Sequence, residues 1–279
     1  YLDGTAEFSG SRDLPYQDQG ATALVIDGKG GKMTRVPVLP AHRNRMERKL
    51  DVSLRSDGSG TIAETLTIHG QLAAEWRYRF QERSTRRELF EKALSRSFPG
   101  AKIIDLRMLG LEDPERAVRV VSRYRVPHLL RGKGGEKSLS LMRSRSSLVQ
   151  RLAPLSKRTQ PLELDYPFVS AEAITVRPAP KTIVGELPGR VDLKKKVGAH
   201  SLVFKQTATQ RKDKIVLQRN LRVTPLRVEV ANYKVFRRFL AEVDGALADR
   251  FVFRPHGGAR PGKVTGKGKG KGKRKGGGR

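Results

Sequence analysis

Two glycine-lysine segments are the first places in this sequence where residue type and spacing could support chemistry. Gly28-Lys29-Gly30-Gly31-Lys32 and Gly132-Lys133-Gly134-Gly135-Glu136-Lys137-Ser138 pair unhindered backbone amides with an ammonium, the parts of a phosphate-cradling loop. Neither has the spacing, because Glu136 and Arg131 stand where a Walker motif needs glycine. Both read as hairpin loops. The chain has no cysteine, so these residues hold no disulfide, no thiolate zinc site and no thiol nucleophile. Its five histidines, at 42, 69, 128, 200 and 256, include no two at ligand spacing, and neither a metal nor an organic cofactor is expected. Glu112-Asp113 runs into Pro114 and reads as a turn, not as the carboxylate pair of a hydrolase. Trp76, Tyr78 and Phe80 interleave with Arg77 and Arg79, a pattern that can stack bases between cations. Trp76 and Phe80 are four residues apart, however, so they share a buried helix face and leave the arginines to solvent.

The remaining chemistry is electrostatic. The 279 residues carry a formal charge of +29 from 57 Lys and Arg against 28 Asp and Glu. Ten of the cations, and no acid, fall between Arg254 and Arg279. Glycine and lysine alternate there, which leaves nothing to bury, so the tail is expected to be disordered. Lys267, Lys269, Lys271, Lys273, Arg274 and Lys275 are its candidate contacts to a polyanion, non-specific and salt-dependent. The body is basic as well, which favours nucleic acid, anionic lipid or an acidic polymer as partner. No helix-turn-helix, zinc finger or aromatic-bearing RNA motif is present to read a sequence. No run approaches the roughly 20 apolar residues of a membrane-spanning helix, and Tyr1-Leu2-Asp3-Gly4 lacks the pattern of a signal peptide.

Apolar periodicity supplies the elements. Leu50, Val52 and Leu54, then Ile62, Leu66 and Ile68, alternate on either side of Ser56-Asp57-Gly58-Ser59-Gly60 and predict a hairpin. Leu72, Trp76 and Phe80 predict a helix. A second helix follows the capping box Thr85-x-x-Glu88 and carries Leu89, Phe90, Ala93, Leu94 and Phe98 until Pro99-Gly100 stops it. Ile104, Leu106 and Met108, then Val118, Val120, Tyr124 and Val126, complete a β-β-α-α-β-β unit. Residues 131–137 read as a loop and 146–152 as a short helix. Strand-like runs at 168–176, 190–193, 201–209 and 214–223 predict a second antiparallel sheet. A helix at 232–248, capped by Asn232 and bearing Phe236, Phe239, Leu240, Val243 and Leu247 on one face, closes the fold. The fold class is mainly β with inserted helices, α+β, with an antiparallel β-sandwich-like region.

Tyr1-Leu2-Asp3-Gly4-Thr5-Ala6, followed by Leu14-Pro15, Gln19-Gly20 and Ala23-Leu24-Val25, resembles the end of the papain-like core of bacterial transglutaminase-like proteins. The resemblance continues through Val38-Leu39-Pro40, Asn44, Asp57-Gly58-Ser59 and Tyr233-x-x-Phe236-Arg237, as in the variant whose core is flanked by β-rich domains of unknown function. It implies that Asp3 is the third member of a Cys-His-Asp triad, holding a histidine ring so that it activates a cysteine. Both partners would precede Tyr1, and Gly4 replaces the commoner proline or alanine. On this reading 1–40 ends the catalytic core, 41–253 is a β-rich domain or a pair of subdomains at about 41–130 and 131–253, and 254–279 is the basic tail. The chain would be a carboxy-terminal fragment, inactive alone, that serves as scaffold or presents a protein or peptide substrate. Its partner would be the upstream half of its own catalytic domain, and its place the periplasm or cell envelope. The intact protein would carry out thiol acyl transfer or amide hydrolysis. Two other readings stand beside it: a non-enzymatic basic module that binds nucleic acid or envelope polymer, and a core without its cysteine that serves as an interaction domain.

Overall fold

The computed structural model describes residues 3–132, 135–141 and 147–256. The chain opens with a hairpin, β1 (Thr22–Asp27) and β2 (Gly30–Arg35), and a 3-10 turn at Ala41–Arg43. Then come β3 (Arg45–Leu54), β4 (Gly60–Ile68), α1 (Gln71–Arg79), α2 (Arg86–Ser97), β5 (Lys102–Leu109) and β6 (Val118–Val126). Short pieces follow: β7 (Leu130–Arg131), β8 (Lys137–Leu139), α3 (Leu148–Leu152) and β9 (Leu162–Glu163). The second half holds β10 (Phe168–Arg177), β11 (Thr182–Glu186), β12 (Val191–Val197), β13 (His200–Gln210), β14 (Ile215–Val223), β15 (Arg227–Val228), α4 (Val230–Leu247) and β16 (Phe251–Pro255). The fold is mainly β with helices inserted, α+β, as the periodicity predicts.

The strands of the two halves do not form separate sheets. They join one eight-stranded sheet of order β12-β13-β14-β10-β3-β4-β6-β5, antiparallel except where β10 runs parallel to β3. The expected second antiparallel sheet is thereby corrected. Alternation within each strand says which residues share a face, not which strand lies beside it. A central edge shared between two distant segments is a long-range choice.

One face of the sheet carries the core. Leu50 and Val52 of β3, Ile62 and Leu66 of β4, Val120 and Tyr124 of β6, Ile174 of β10 and Leu217 of β14 all lie on it. Helices α1 and α2 cover it through Ala73, Phe80, Phe90 and Leu94. A smaller sheet, β11-β16-β8-β7, adds Leu139, Phe251 and Phe253 to the same cluster, the sandwich-like part of the fold. Helix α4 covers the far end with Phe236, Phe239, Leu240 and Val243 against Leu202, Phe204 and Val223. The opposite face is polar, with Lys49, Arg119, Arg123, Arg125 and Arg222 exposed.

A row of polar side chains crosses this apolar face. Ser122, Glu64, Arg48, Glu172, Arg219 and Gln206, on six adjacent strands, sit at positions whose alternation calls for apolar residues. Arg48 donates from Nε to Glu64 at 2.9 Å and from Nη1 to Glu172 at 3.1 Å. Arg219 donates from Nε to Gln206 at 2.7 Å and pairs with Glu172 at 3.5 Å, while the Tyr124 hydroxyl donates to Glu64 at 2.9 Å. Burial opposes the charge on Arg48, but Glu64 and Glu172 more than offset it and hold the guanidinium above its ordinary value. Across β10, β13 and β14 this belt divides the core into two apolar clusters.

Local expectations are corrected at three points. Thr85 makes no capping bond; its hydroxyl donates to the carbonyl of Glu82, and the capping box is at Ser147 and Gln150 of α3. Asn232 lies inside α4, whose extended N-cap is Glu229, because β15 hands the chain to the helix two residues earlier. Arg254 and Pro255, assigned to the unstructured tail, complete β16 against Ile183 and Thr182. Lys267, Lys269, Lys271, Lys273, Arg274 and Lys275, and the disorder expected of them, lie outside the described residues.

Gly70 is where β4 turns into α1, at φ 65° with the Asn44 side-chain oxygen and the Arg43 carbonyl against its α-carbon. Buried Asn44 accepts from the amide of Gln71 at 3.0 Å and donates to the Pro167 carbonyl at 2.9 Å, so it locks β3, α1 and the approach to β10 together. Gly70→Ala is expected to cost about 1–3 kcal/mol from backbone strain alone, with the clash adding to it. The urea midpoint of unfolding measures the loss.

Candidate functional site

Asp3 opens a string of turns that runs along one side of the body. Its backbone carbonyl accepts from Ala6 at 3.3 Å, and the Ala6 carbonyl accepts from Ser9 at 3.1 Å. The carboxylate is fixed through one oxygen. Oδ1 accepts from the Thr5 hydroxyl at 2.7 Å and the Thr5 amide at 2.8 Å, an arrangement that holds the side chain in one rotamer. The hydroxyl bond first, and the amide bond after it, stabilise the anion and lower the pKa below the ordinary aspartate value. Among the described residues nothing bonds to Oδ2. A small cleft of about 50 Å³ adjoins the group, shared with Ser9, Ser11 and Asp13.

What such a carboxylate can do is accept a further hydrogen bond and orient its donor. It is ionised, immobile on one side and open on the other, as an orienting residue requires. The five histidines do not supply the donor: none lines this cleft, and none of the described residues form a cluster able to hold a metal ion.

The turns are clamped to the body by a residue assigned to solvent from the sequence. Arg77 is 2% exposed, and its guanidinium donates to three backbone carbonyls: Phe8 at 3.0 Å, Gly110 at 3.2 Å, and Arg116. Trp76 and Phe80 do stack, with ring centroids 5.1 Å apart, as their spacing predicts. The correction at Arg77 follows from helix geometry, because α1 is covered on a second side by the turns of residues 6–15. Burial lowers the Arg77 pKa, and Asp13, Asp113 and Glu115 oppose that loss, so the cation persists.

Other side chains repeat the arrangement. Gln71 and Gln19 each donate to the Leu14 carbonyl at 2.8 Å, and the Ser11 amide donates to Glu115 at 2.6 Å. Arg43 donates to the Arg12 carbonyl at 2.7 Å. The Glu112-Asp113-Pro114 turn is structural, as expected: Glu112 pairs with Arg86 at 2.8 Å, and Asp113 accepts from the Glu115 amide at 3.0 Å. A run of short turns rich in Gly, Ser and Asp ahead of a helix that carries two arginines was the only sequence signal for this clamp, and it does not say which arginine is buried.

The hairpin that follows is held differently. Among the described residues, β1 and β2 pair with each other and with no other strand. Leu24, Ile26 and Met33 are 56%, 76% and 62% exposed, an unusual outward face for a hairpin rich in β-formers. The loop at Gly28-Lys29 closes this hairpin, and the segment from Gly132 to Lys137 joins β7 to β8, with Lys133 and Gly134 outside the described residues.

Residues 139–253 match the model of a domain of unknown function with solved structure, DUF3858. A crystal structure of a candidate protease from Parabacteroides distasonis is similar at 19% identity and a TM-score of 0.37, covering 44% of this chain and 24% of that one. A crystal structure of an M1 zinc metallopeptidase from Deinococcus radiodurans is similar at 10% identity and a TM-score of 0.29, covering 77% of this chain and 42% of that one. The chain thus spans under half the length of either protein. No curated protein matches it. Over 139–253, then, the chain is similar to a domain of unknown function and is β-rich there.

Proposed function

We propose that the chain is the carboxy-terminal part of a transglutaminase-like protein, in which Asp3 orients the catalytic histidine and the β-rich body holds that aspartate in place. The observation that carries this reading is the apolar hairpin. A two-stranded hairpin is marginal alone, and β1–β2 turns Leu24, Ile26 and Met33 outward in the segment that follows the turns begun by Asp3, whose carboxylate has one oxygen in use. Packing against further strands of a catalytic core would bury that face. The thiol and the imidazole would belong to the same core, and the reaction would be acyl transfer or amide hydrolysis through a thioester. The Asp3 carboxylate would accept the imidazole N–H, fix the ring's tautomer and stabilise the imidazolium formed when the thiol ionises.

The test is Asp3→Asn in the native full-length protein. Turnover of a glutamine-peptide substrate should fall by orders of magnitude with the thermal midpoint nearly unchanged, because asparagine keeps the Thr5 contacts but presents no anion. Unaltered turnover would return Asp3 to an ordinary turn residue.

A second reading concerns anions. Arg119, Arg123 and Arg125 alternate on the exposed face of β6 and place three cations in a row on the open side of the sheet. Deleting residues 257–279 should lower affinity for a single-stranded oligonucleotide at low salt and flatten its salt dependence. Binding that survives the deletion would assign the contact to the β6 face.

A further inference from the structure

The open face of the eight-stranded sheet, opposite the apolar clusters, carries charge that the fold leaves uncompensated. Every acid on it is taken by a cation beside it: Glu47 pairs with Arg45, Asp51 with Arg177, Asp105 with Arg107 and Asp192 with Lys205. The cations left over are exposed and have no acidic partner among the described residues.

Strand register puts these cations in order. Lys49 stands near the middle on β3, level with Val121 of β6 and Gln218 of β14. On one side of that level Arg123 lies two residues off and Arg125 four, with Lys102 of the edge strand directly opposite Arg125. On the other side Arg222 and Lys194 lie four residues off, and Lys196 six. The offset grows with distance from Lys49 in both directions, so the cations form one diagonal row from corner to corner of the sheet. Strands about 4.8 Å apart and a rise of about 3.4 Å per residue make the row roughly 45–50 Å long. Arg119 stands off it. Glu47 and Asp51 flank Lys49 along β3, each held by its own arginine.

The shape and chemistry of the row select its partner. A single file of cations suits one polyanionic chain, whereas a lipid surface would meet it only along a line. No open-face position of these eight strands holds Phe, Tyr or Trp, so the stacking platforms of a single-stranded nucleic-acid site are missing. Between the cations the face offers Thr65, Asn220 and Ser201, neutral groups that hydrogen-bond to hydroxyls. Charges alternating with such groups match a polymer whose carboxylates are separated by hydroxyl-bearing units. We infer, resting on the anion reading and not on Asp3, that the open face binds one chain of an acidic polysaccharide. Its carboxylates meet the diagonal row, and its hydroxyls meet the side chains between.

The experiment titrates labelled decagalacturonate, comparable in extended length to the row, with the full chain and reads fluorescence anisotropy at low salt. Binding should saturate and weaken steeply as salt is added. Lys49→Gln, Arg123→Gln and Arg222→Gln together should weaken it at least tenfold with the thermal midpoint unchanged, since these exposed side chains have no ion pair to lose. Arg107→Gln, Arg177→Gln and Lys205→Gln together remove the same formal charge from paired positions of the same face, and should weaken it less than threefold. Lys49→Glu alone, a reversal at the centre of the row, should weaken it at least fivefold and repeats the test in a second protein. Equal losses in the two triple variants would overturn the inference, because net charge alone would then account for binding. Undiminished binding by the first triple variant would overturn it too, moving the contact to residues 257–279 and leaving the anion reading in place. Tighter binding of oligothymidylate or of phosphatidylglycerol vesicles than of decagalacturonate would assign the face to another partner. A full chain that binds none of the three would remove the anion reading as well.

Discussion

Arg48→Met is expected to lower the stability of the chain by about 3–5 kcal/mol, the usual cost of removing one partner from a buried ion pair. Methionine fills much of the volume, so the loss is electrostatic. Glu64, whose side chain is 2% exposed, loses its contact to Arg48 at 2.9 Å, and Glu172 loses the shorter of its two arginine contacts and keeps the one to Arg219 at 3.5 Å. The double variant Arg48→Met, Glu64→Gln should recover about 1–2 kcal/mol relative to the sum of the singles, because a glutamine there carries no charge and its oxygen can still accept from the Tyr124 hydroxyl. Urea denaturation of the four proteins of this cycle gives the coupling energy. A single-variant loss under about 1 kcal/mol would mean that water, and not Arg48, neutralises the two carboxylates.

Arg77→Met should have a comparable total effect and a different distribution. Three charge-assisted bonds to main-chain carbonyls are lost, and charge-assisted bonds contribute about 1.5–3 kcal/mol each in favourable cases. Because the carbonyls of Phe8, Gly110 and Arg116 can partly rehydrate once the loop loosens, about 3–5 kcal/mol is the expected sum. The loss should be local first. Hydrogen-exchange protection of the Ser9, Ser11 and Asp13 amides should fall well before that of β3 and β4, since these amides are held in turns that Arg77 pins to α1. Lysine should not restore it, because one ammonium cannot reach three carbonyls at once. Uniform loss of protection across the sheet would make Arg77 a core residue and not a clamp.

The charged residues of the belt stand in the sequence as exceptions to their strands' alternation, whereas Arg77 fits the solvent side of its helix pattern and gives no such sign. Arg48 precedes Leu50 by two residues, Glu64 lies between Ile62 and Leu66, and Arg219 lies between Leu217 and Leu221, each in the apolar phase of its strand. An ionisable residue in that phase signals a buried partner, but it does not name the partner. Glu172 and Arg48 are 124 positions apart and meet because β10 pairs in parallel with β3.

Residue order alone determined most of the elements. The 3.6-residue spacing of Phe236, Phe239, Leu240 and Val243 fixed α4, Pro99-Gly100 fixed the end of α2, and two-residue alternation fixed β3, β4, β6, β13 and β14, because each pattern is set by backbone geometry over a few residues. Helix starts were read less well. Thr85 and Asn232 have the right chemistry to cap, but the chain's direction on entry, set by the preceding turn or strand, decides which residue occupies the cap. Tertiary structure alone decided that one sheet serves both halves, that its polar belt crosses six strands with a two-residue step between β3 and β4, that Arg77 faces the turns of residues 6–15, and that a cavity remains beside Arg48. These features depend on pairing between distant segments, whose free energy comes from closing long loops and burying charge against charge. Neither quantity is encoded in the spacing of neighbouring residues.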